Sequence, residues 1–401
     1  MELGTAMRRV STNQTNRPKR RATGLTGVGL PRRARRILLI AAFLTLIPAA
    51  FSYLNAILAP SNSSLDIRSV EWLRDNGAAG LVSRVESIYY SLTAPEKGGA
   101  TLRALPQAGY NAAGRARAQR LRARRLSAAS YRPARVTPLL RPALPGEGVW
   151  RSTRPGAGTS APLLVTTLRN QPEYPRVVAG LAWIDTARTI LTLNPGRMEP
   201  SVSIPRGSMD VPRARRGKLL ATFNSGFKLS DSHGGFVLDG KTYATMHDGL
   251  ATLVGYRDGR LGVIDWRYGP SAPQPVLFAR QNLPLIVYKG HPNPNLGNGP
   301  EWGATLGNAI LVWRSGIGVD RHGNLIYAAG EDQTVGSLAA TLAHAGAVRA
   351  MELDINSYWV SFISYGAPDA ISPLNLLPGM ERSATRYLAP DDRDFFAVYA
   401  R

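Results

Sequence analysis

The sequence predicts an α+β chain: a mixed, strand-rich domain with few helices, preceded by a transmembrane helix and a basic linker. Short apolar runs separated by turn residues fill positions 161–401, which is the pattern of many strands. Near the N-terminus, residues 37–59 run 23 positions without a charge. Of the formal net charge of +22, all but +2 sits in two segments, 1–36 and 100–160. The chain of 401 residues is long enough for two or three domains of roughly 150 residues each. With 44% hydrophobic and 19% charged residues, it is neither wholly disordered nor a polyelectrolyte. Cysteine is absent, which removes disulfide frameworks, thiolate metal sites and thiol nucleophiles together.

The first element is a basic cytoplasmic tail, 1–36, with ten Lys/Arg and one acid. The run ILLIAAFLTLIPAAFSYLNAILA at 37–59 then covers the hydrocarbon thickness, and Pro48 in mid-span predicts a kink. A cleaved signal peptide has a shorter apolar region, so the run reads as a signal-anchor. Arg32, Arg33, Arg35 and Arg36 abut its start, whereas only Arg68 and Arg74 follow it closely. The positive-inside rule therefore predicts a single-pass protein of the cell membrane, with its N-terminus cytoplasmic and its C-terminal domain on the outer face of the envelope. That topology argues against nucleic acid as a partner of the basic segments, despite their charge.

Residues 60–96 predict two short amphipathic helices interrupted at Gly77 and Gly80, with Ser69 as a cap. Val70, Leu73, Leu81, Val85, Ile88 and Tyr89 supply an apolar face expected to pack on the later domain or on a partner. Residues 97–162 are rich in Arg, Pro and Ala with almost no acids, so they predict an extended or disordered stalk. The competing readings are attraction to anionic wall polymers or to lipid headgroups.

In the domain at 163–401, strands are expected at 177–184, 189–193, 218–223, 235–238, 251–255, 261–264, 285–287, 309–312, 317–319, 325–328 and 350–353. A helix is expected at 337–345, capped by Thr334 and stopped by Gly346. Asp239-Gly240 predicts a two-residue hairpin turn. The GxGxxG, Walker, HExxH and GxSxG patterns are missing, which excludes the standard nucleotide-binding, zinc-protease and serine-hydrolase arrangements.

Polar residues cluster at three predicted strand ends: ATFNSGFK (221–228), the His233-Gly234-Gly235 stretch, and MELDINSY (351–358). Strand alternation would put Glu352, Asp354 and Asn356 on one face, which needs a partner, and Arg314 in LVWRSGIGVD is the candidate. His247 beside Asp248 is a weaker pair, and Trp302 lies in a Pro/Gly/Asn-rich stretch that reads as a surface loop, with a wall for a sugar as the alternative. No ligand spacing diagnostic of a metal is present, so no cofactor is read, with a divalent metal left open.

In Asn224-Ser225-Gly226-Phe227, Gly235 with Asp239-Gly240, Arg314-Ser315-Gly316-Ile317-Gly318 and Leu353-Asp354-Ile355-Asn356-Ser357, residues 215–365 resemble the phosphodiester glycosidase family in order and spacing. Ser225 stands where the family has glycine, and Ile355-Asn356 where it has a glycine pair. The resemblance implies a hydrolase cleaving a sugar-1-phosphodiester in an envelope polymer or a lipid-linked sugar. Asp354, Glu352 and His233 would be its catalytic groups. Asn224, Gly226, Phe227, Lys228, Gly235, Arg314, Asn356 and Ser357 would bind the substrate. The alternative is an inactive relative that binds phosphorylated glycans at the membrane surface. The oligomeric state is left open.

Overall fold

The computed structural model describes residues 31–109, 131–155, 160–298, 302 and 311–401. Most of the basic tail and the Arg-rich stretch 110–130 therefore lie outside the described residues. The chain forms two compact units, Met1–Asn55 and Ala56–Arg401.

The uncharged run forms helix α1 (Arg32–Leu58), with Pro48 inside it. It is the one helix among the described residues long and apolar enough to cross a membrane. Its side chains have no amphipathic stripe: Ile37, Phe43, Leu46 and Phe51 are all exposed.

The second unit opens with a helical hairpin. Helix α2 (Leu65–Leu73) and helix α3 (Ala79–Thr93) are joined by one wide turn, Arg74–Ala78. Gly77 there has φ +89°, a conformation that costs an L side chain, so the glycine at the break is required. Ser69 is not the cap expected of it: Ser64 occupies that position, and the Ser69 hydroxyl bonds Leu65 O inside the helix at 2.7 Å. Arg74 and Glu86 pair across the hairpin.

The predicted stalk is only partly free of the domain. Glu147 is fully buried and pairs with Arg169 at 2.8 Å, while Val136 and Trp150 join a core cluster. One acid in a basic tract reads as incidental. It here neutralises a buried arginine, and so pins residues on either side of 110–130 to the sheet.

Among the described residues, eighteen strands follow. The largest sheet contains β1 (Arg151–Ser152), β2 (Leu163–Arg169), β3 (Val178–Ile184), β11 (Leu285–Tyr288), β12 (His291–Pro292), β13 (Val312–Asp320), β14 (Leu325–Gln333) and β15 (Ala347–Glu352). Its order is β1-β2-β3-β14-β13-β15-β11-β12. A five-stranded sheet contains β6 (Phe236–Leu238), β7 (Lys241–Ala244), β8 (Ala251–Tyr256), β9 (Leu261–Asp265) and β10 (Val276–Gln281), in the order β7-β6-β10-β8-β9. The other contains β4 (Thr189–Asn194), β5 (Leu219–Asn224), β16 (Phe362–Tyr365), β17 (Pro373–Asn375) and β18 (Phe395–Ala400), in the order β17-β16-β5-β18-β4.

Alternation places the core. Ala182 and Ile184 of β3 join Phe223, Leu253, Phe278 and Val398 in the cluster shared by the three sheets. Leu181 and Trp183 point the other way, onto helix α4 (Val335–His344), where Leu338, Ala339 and Leu342 meet them. Thr334 caps α4 as expected, accepting from Ser337 N at 3.0 Å, with Ser337 returning the bond to Thr334 N. Asp239 and Gly240 both take positive φ, 53° and 79°, in the β6–β7 turn. The expected strands at 309–312 and 317–319 are not separate: Val312–Asp320 is one strand, and 309–310 lie outside the described residues. Strands β1, β2, β7, β10, β12, β16, β17 and β18 were not among those expected.

Candidate functional site

Four strand ends bring the predicted polar segments together. Asn224 ends β5, Glu352 ends β15, Ser315 lies in β13 and Gln281 ends β10. Asn224 is buried with all four amide valences filled: Nδ2 donates to Ser225 O and Ser315 Oγ, and Oδ1 accepts from Tyr327 OH and Ser361 N. It staples strands together and has no capacity left for a sugar hydroxyl, contrary to the expectation. Ser315 extends this staple, since its hydroxyl accepts from Asp354 N at 3.1 Å and donates to Asp354 O at 3.0 Å.

Alternation was expected to aim Glu352 and Asp354 at one point. The strand ends at Glu352, and the two carboxylates part. Glu352 pairs with Arg314 at 2.7 Å with neither side chain exposed, and Arg314 also donates to Gln333 O and Trp302 O. Arg314 is thus the partner the sequence called for, and both side chains of this pair are buried among the described residues. Burial, against the opposing Arg314 charge, raises the Glu352 carboxyl above its ordinary range. Trp302 is likewise buried, its Nε1 donating to Asn295 O, and offers no exposed ring to a sugar.

Asp354 has a different partner, Arg393, at 3.1 Å. Its other oxygen accepts from Asn356 N at 3.0 Å, and Asn356 in turn accepts from Tyr358 N at 2.9 Å. These are two successive Asx turns, so Asn356 shapes the loop from within. Arg393 lies over the Trp359 ring at 5.0 Å, and burial is outweighed by Asp354, Glu71, Glu199 and Asp394, which raise its pKa.

Beyond Arg393 opens a cavity of about 390 Å³ whose walls include Glu71, Trp72, Glu199, Lys228, Trp359 and Arg393. Asp354 does not line it but stands behind Arg393. Of the predicted residues only Lys228 reaches the wall directly, and Gly226 contributes a carbonyl 3.5 Å from Arg393. Lys228 is held by Glu71 of α2 at 2.5 Å and by Asp75 at 3.5 Å.

The two cavity glutamates are pushed in opposite directions. Burial raises Glu199, with Arg393 and Arg280 opposing and Asp394 adding, while its Oε2 accepts from Ser201 N and Leu229 N at 3.2 Å. Burial would raise Glu71 too, but Lys228 and Arg393 outweigh it and bring Glu71 below the usual carboxylate range. Burial thus shifts one carboxyl upward while the cations shift the other downward, and both line one cavity.

The remaining predicted residues lie elsewhere. His233 is exposed at φ +50°, closing the turn Leu229–Ser232, and is not among the cavity's lining residues. Gly235 is a packing glycine: a Cβ there would meet Thr245 O and Met246 Cα at 2.7 Å. Phe227 packs with Val312 and Ile355, and Ser357 bonds the Tyr90 hydroxyl. His247 and Asp248 are exposed in a loop. Among the described residues no group of three or more His, Asp or Glu is arranged to hold a metal ion.

Sequence reading missed Glu71, Glu199, Arg280, Asn282 and Arg393. Arg280 pairs with Asp394 at 2.9 Å and donates to Phe227 O, while Asn282 bonds Phe227 N and the carbonyls of Glu352 and Leu353. Together they hold the two site loops. The signal for them was Arg-Gln-Asn ending the apolar run VLFA, three polar residues where a strand enters the core.

No protein family profile and no curated protein matches the sequence. Among solved structures, the chain is similar to the zebrafish N-acetylglucosamine-1-phosphodiester alpha-N-acetylglucosaminidase catalytic domain auto-inhibited by its pro-peptide. The TM-score is 0.40 at 14% identity, over 60% of this chain and 84% of that one. A hypothetical protein from Synechocystis gives 0.37 at 14%, over 60% of this chain and 62% of the other. A putative exported protein from Burkholderia pseudomallei gives 0.26 at 10%, over 58% and 75%. These are distant structural resemblances.

Proposed function

We propose that the chain is a membrane-anchored hydrolase of the phosphodiester glycosidase type. It would release a sugar from a sugar-1-phosphodiester in an envelope polymer or a lipid-linked sugar. The observation that supports this is the cavity in which Lys228 and Arg393 face two oppositely shifted glutamates, flanked by Trp72 and Trp359. The cations suit the diester's phosphate and the half-buried Trp72 indole suits a pyranose ring. Glu199 is the acid: it gives its proton to the bridging oxygen as the bond from the anomeric carbon to that oxygen breaks and the electron pair passes to the phosphate. Glu71 is the base: it takes a proton from the water whose oxygen bonds that carbon. The products are a free sugar and a phosphomonoester. Asp354 and Ser315 act by positioning: Asp354 holds Arg393, and Ser315 holds the backbone of Asp354.

The second reading is an inactive relative that binds phosphorylated glycans. It is favoured by the pairing of both cavity cations with carboxylates, because a phosphate must first displace Glu71 from Lys228 or Asp354 from Arg393. The test is sugar release by the full chain in lipid nanodiscs from a panel of sugar-1-phosphodiesters. Glu199→Gln and Arg393→Met should each cut turnover by roughly 100-fold or more. Saturable binding without release would select the second reading, and undiminished turnover in both variants would place the chemistry elsewhere.

A further inference from the structure

The sequence's amphipathic hairpin was expected to pack its apolar face on the later domain or on a partner. The structure turns that face outward. Helix α3 is docked by Val82, which is buried, and by Tyr90, which packs with Phe227, Val312 and Ile355. On the other side Leu81, Val85, Ile88, Tyr89 and Leu92 are exposed by 66%, 60%, 61%, 60% and 81%. Their spacing of i, i+4, i+7, i+8 and i+11 is one helical stripe roughly 100° wide, and isolated apolar residues would not recur so. Arg84 and Ser91 flank it, both exposed.

We infer that this stripe docks on a lipid bilayer surface, with α3 lying in the interface. The inference rests on the anchoring role of α1 but not on the hydrolase reading. Reach and attachment select the bilayer as occupant. Helix α2 begins seven residues after Leu58, which bounds its distance from the end of α1 at about 24 Å. The attachment is closer still, because Arg68 of α2 donates to Ala56 O and Ala59 O at 2.5 and 2.6 Å, clasping the last turn of the apolar helix. The hairpin therefore follows within seven residues of the end of an apolar span of this length. A single convex helix face with no groove and no charged complement suits a fluid apolar surface better than a shaped protein partner. Tyr89, at the stripe's edge, is of the type that favours the headgroup boundary.

The chain lacks cysteine, so single replacements report one position each. Leu81→Cys, Val85→Cys, Ile88→Cys and Leu92→Cys probe the stripe, Arg84→Cys and Ser91→Cys its flank, and Phe43→Cys helix α1. Each full-length variant would carry a bimane label in phosphatidylcholine/phosphatidylglycerol vesicles containing brominated lipid, with aqueous iodide quenching as the mirror measurement. The expected result is lipid quenching at least twofold stronger at the four stripe positions than at the two flanking ones, with iodide showing the reverse. Equal quenching of stripe and flank, with Phe43→Cys shielded by lipid, overturns the inference while leaving the anchor intact. Equal quenching at all seven positions overturns both. Disulfide-linked dimers formed through the stripe cysteines, without lipid quenching there, also overturn it and assign the face to a second copy.

Discussion

Replacing Arg314 should cost far more than neutralising its partner, and the asymmetry separates a core ion pair from a catalytic one. Arg314→Met leaves the Glu352 carboxylate buried without a counter-charge, which in such sites costs about 3–5 kcal/mol. It also strips the donor from Gln333 O and Trp302 O, at about 1 kcal/mol each. The loss is a large part of an ordinary stability of about 5–15 kcal/mol. Glu352→Gln is different. Burial has already raised that carboxyl, so the folded protein pays comparatively little for its neutral form, and the amide oxygen still accepts from Arg314. Its loss should stay below about 2 kcal/mol. Arg314→Met with Glu352→Leu removes both charges and should recover at least about 2 kcal/mol relative to Arg314→Met alone. Urea unfolding followed by near-ultraviolet circular dichroism measures all three, with sugar release measured in parallel. Two results would refute the reasoning: equal destabilisation by the two single changes, or Glu352→Gln that unfolds like wild type yet has lost turnover.

Three further outcomes follow from the same geometry. A double-mutant cycle on Lys228 and Glu71, whose side chains are 13% and 15% exposed, should give a coupling of about 1–2 kcal/mol. The Arg260–Asp258 pair, at 73% and 52%, should give a far smaller one, screened by solvent. Because the folded protein lowers the Glu71 pKa, the first coupling should be complete above the ordinary carboxylate range and fade as pH falls through the lowered value. Asp332 is pushed up to about 6 by burial and by Glu331, so the stability it allows at low pH is lost as pH rises through about 6. Asp332→Asn, which also tolerates the φ of +55°, should gain roughly 1 kcal/mol at pH 7 after discounting for partial exposure, and nothing at pH 4, by thermal unfolding. Gly235→Ala should lose about 2–3 kcal/mol through contact with backbone at 2.7 Å, whereas Gly336→Ala, whose nearest neighbour is Thr334 Oγ1 at 3.6 Å, should unfold no earlier than wild type.

What could be read in advance was local. Thr334 as a cap, Gly77 as a helix break and Asp239-Gly240 as a turn depend on neighbours a few residues away. The same holds for the strands that alternate cleanly. What escaped reading depends on pairing across the chain. The run Asp391-Asp392-Arg393-Asp394 has the composition of a solvated loop, yet each member is buried, because each meets an opposite charge brought by another segment. Arg386 meets Asp391, Arg197 meets Asp392, Asp354 meets Arg393 and Arg280 meets Asp394. The strand FFAVYA directly after it went unread for the same reason. His233 failed in the opposite way: a histidine between a serine and two glycines looks like a site residue, but its left-handed backbone serves the end of a helical turn.

The loops at Ser225 and at Ile355-Asn356 are built from ordinary side chains rather than glycine. Neither Ser225, Ile355 nor Asn356 is among the residues with positive φ, so the loop after Asp354 follows a path open to ordinary side chains. Asx turns at Asp354 and Asn356 brace that path, and Ile355 buries its side chain against Phe227 and Val312 beside Tyr90 of α3. A glycine at 355 would leave that contact empty. The same hairpin region reaches the loop again through Ser64 N on Tyr358 OH and through Tyr90 on Ser357, while Ser61 and Ser63 hold Asp392 next to Arg393. Side chains at 355–358 thus fasten the Asp354 loop to the segment that carries Glu71. The cavity wall and the hairpin following α1 must consequently move together or not at all, so a substitution at Ile355 that loosens the hairpin should disturb the Glu71–Lys228 pair without touching either residue.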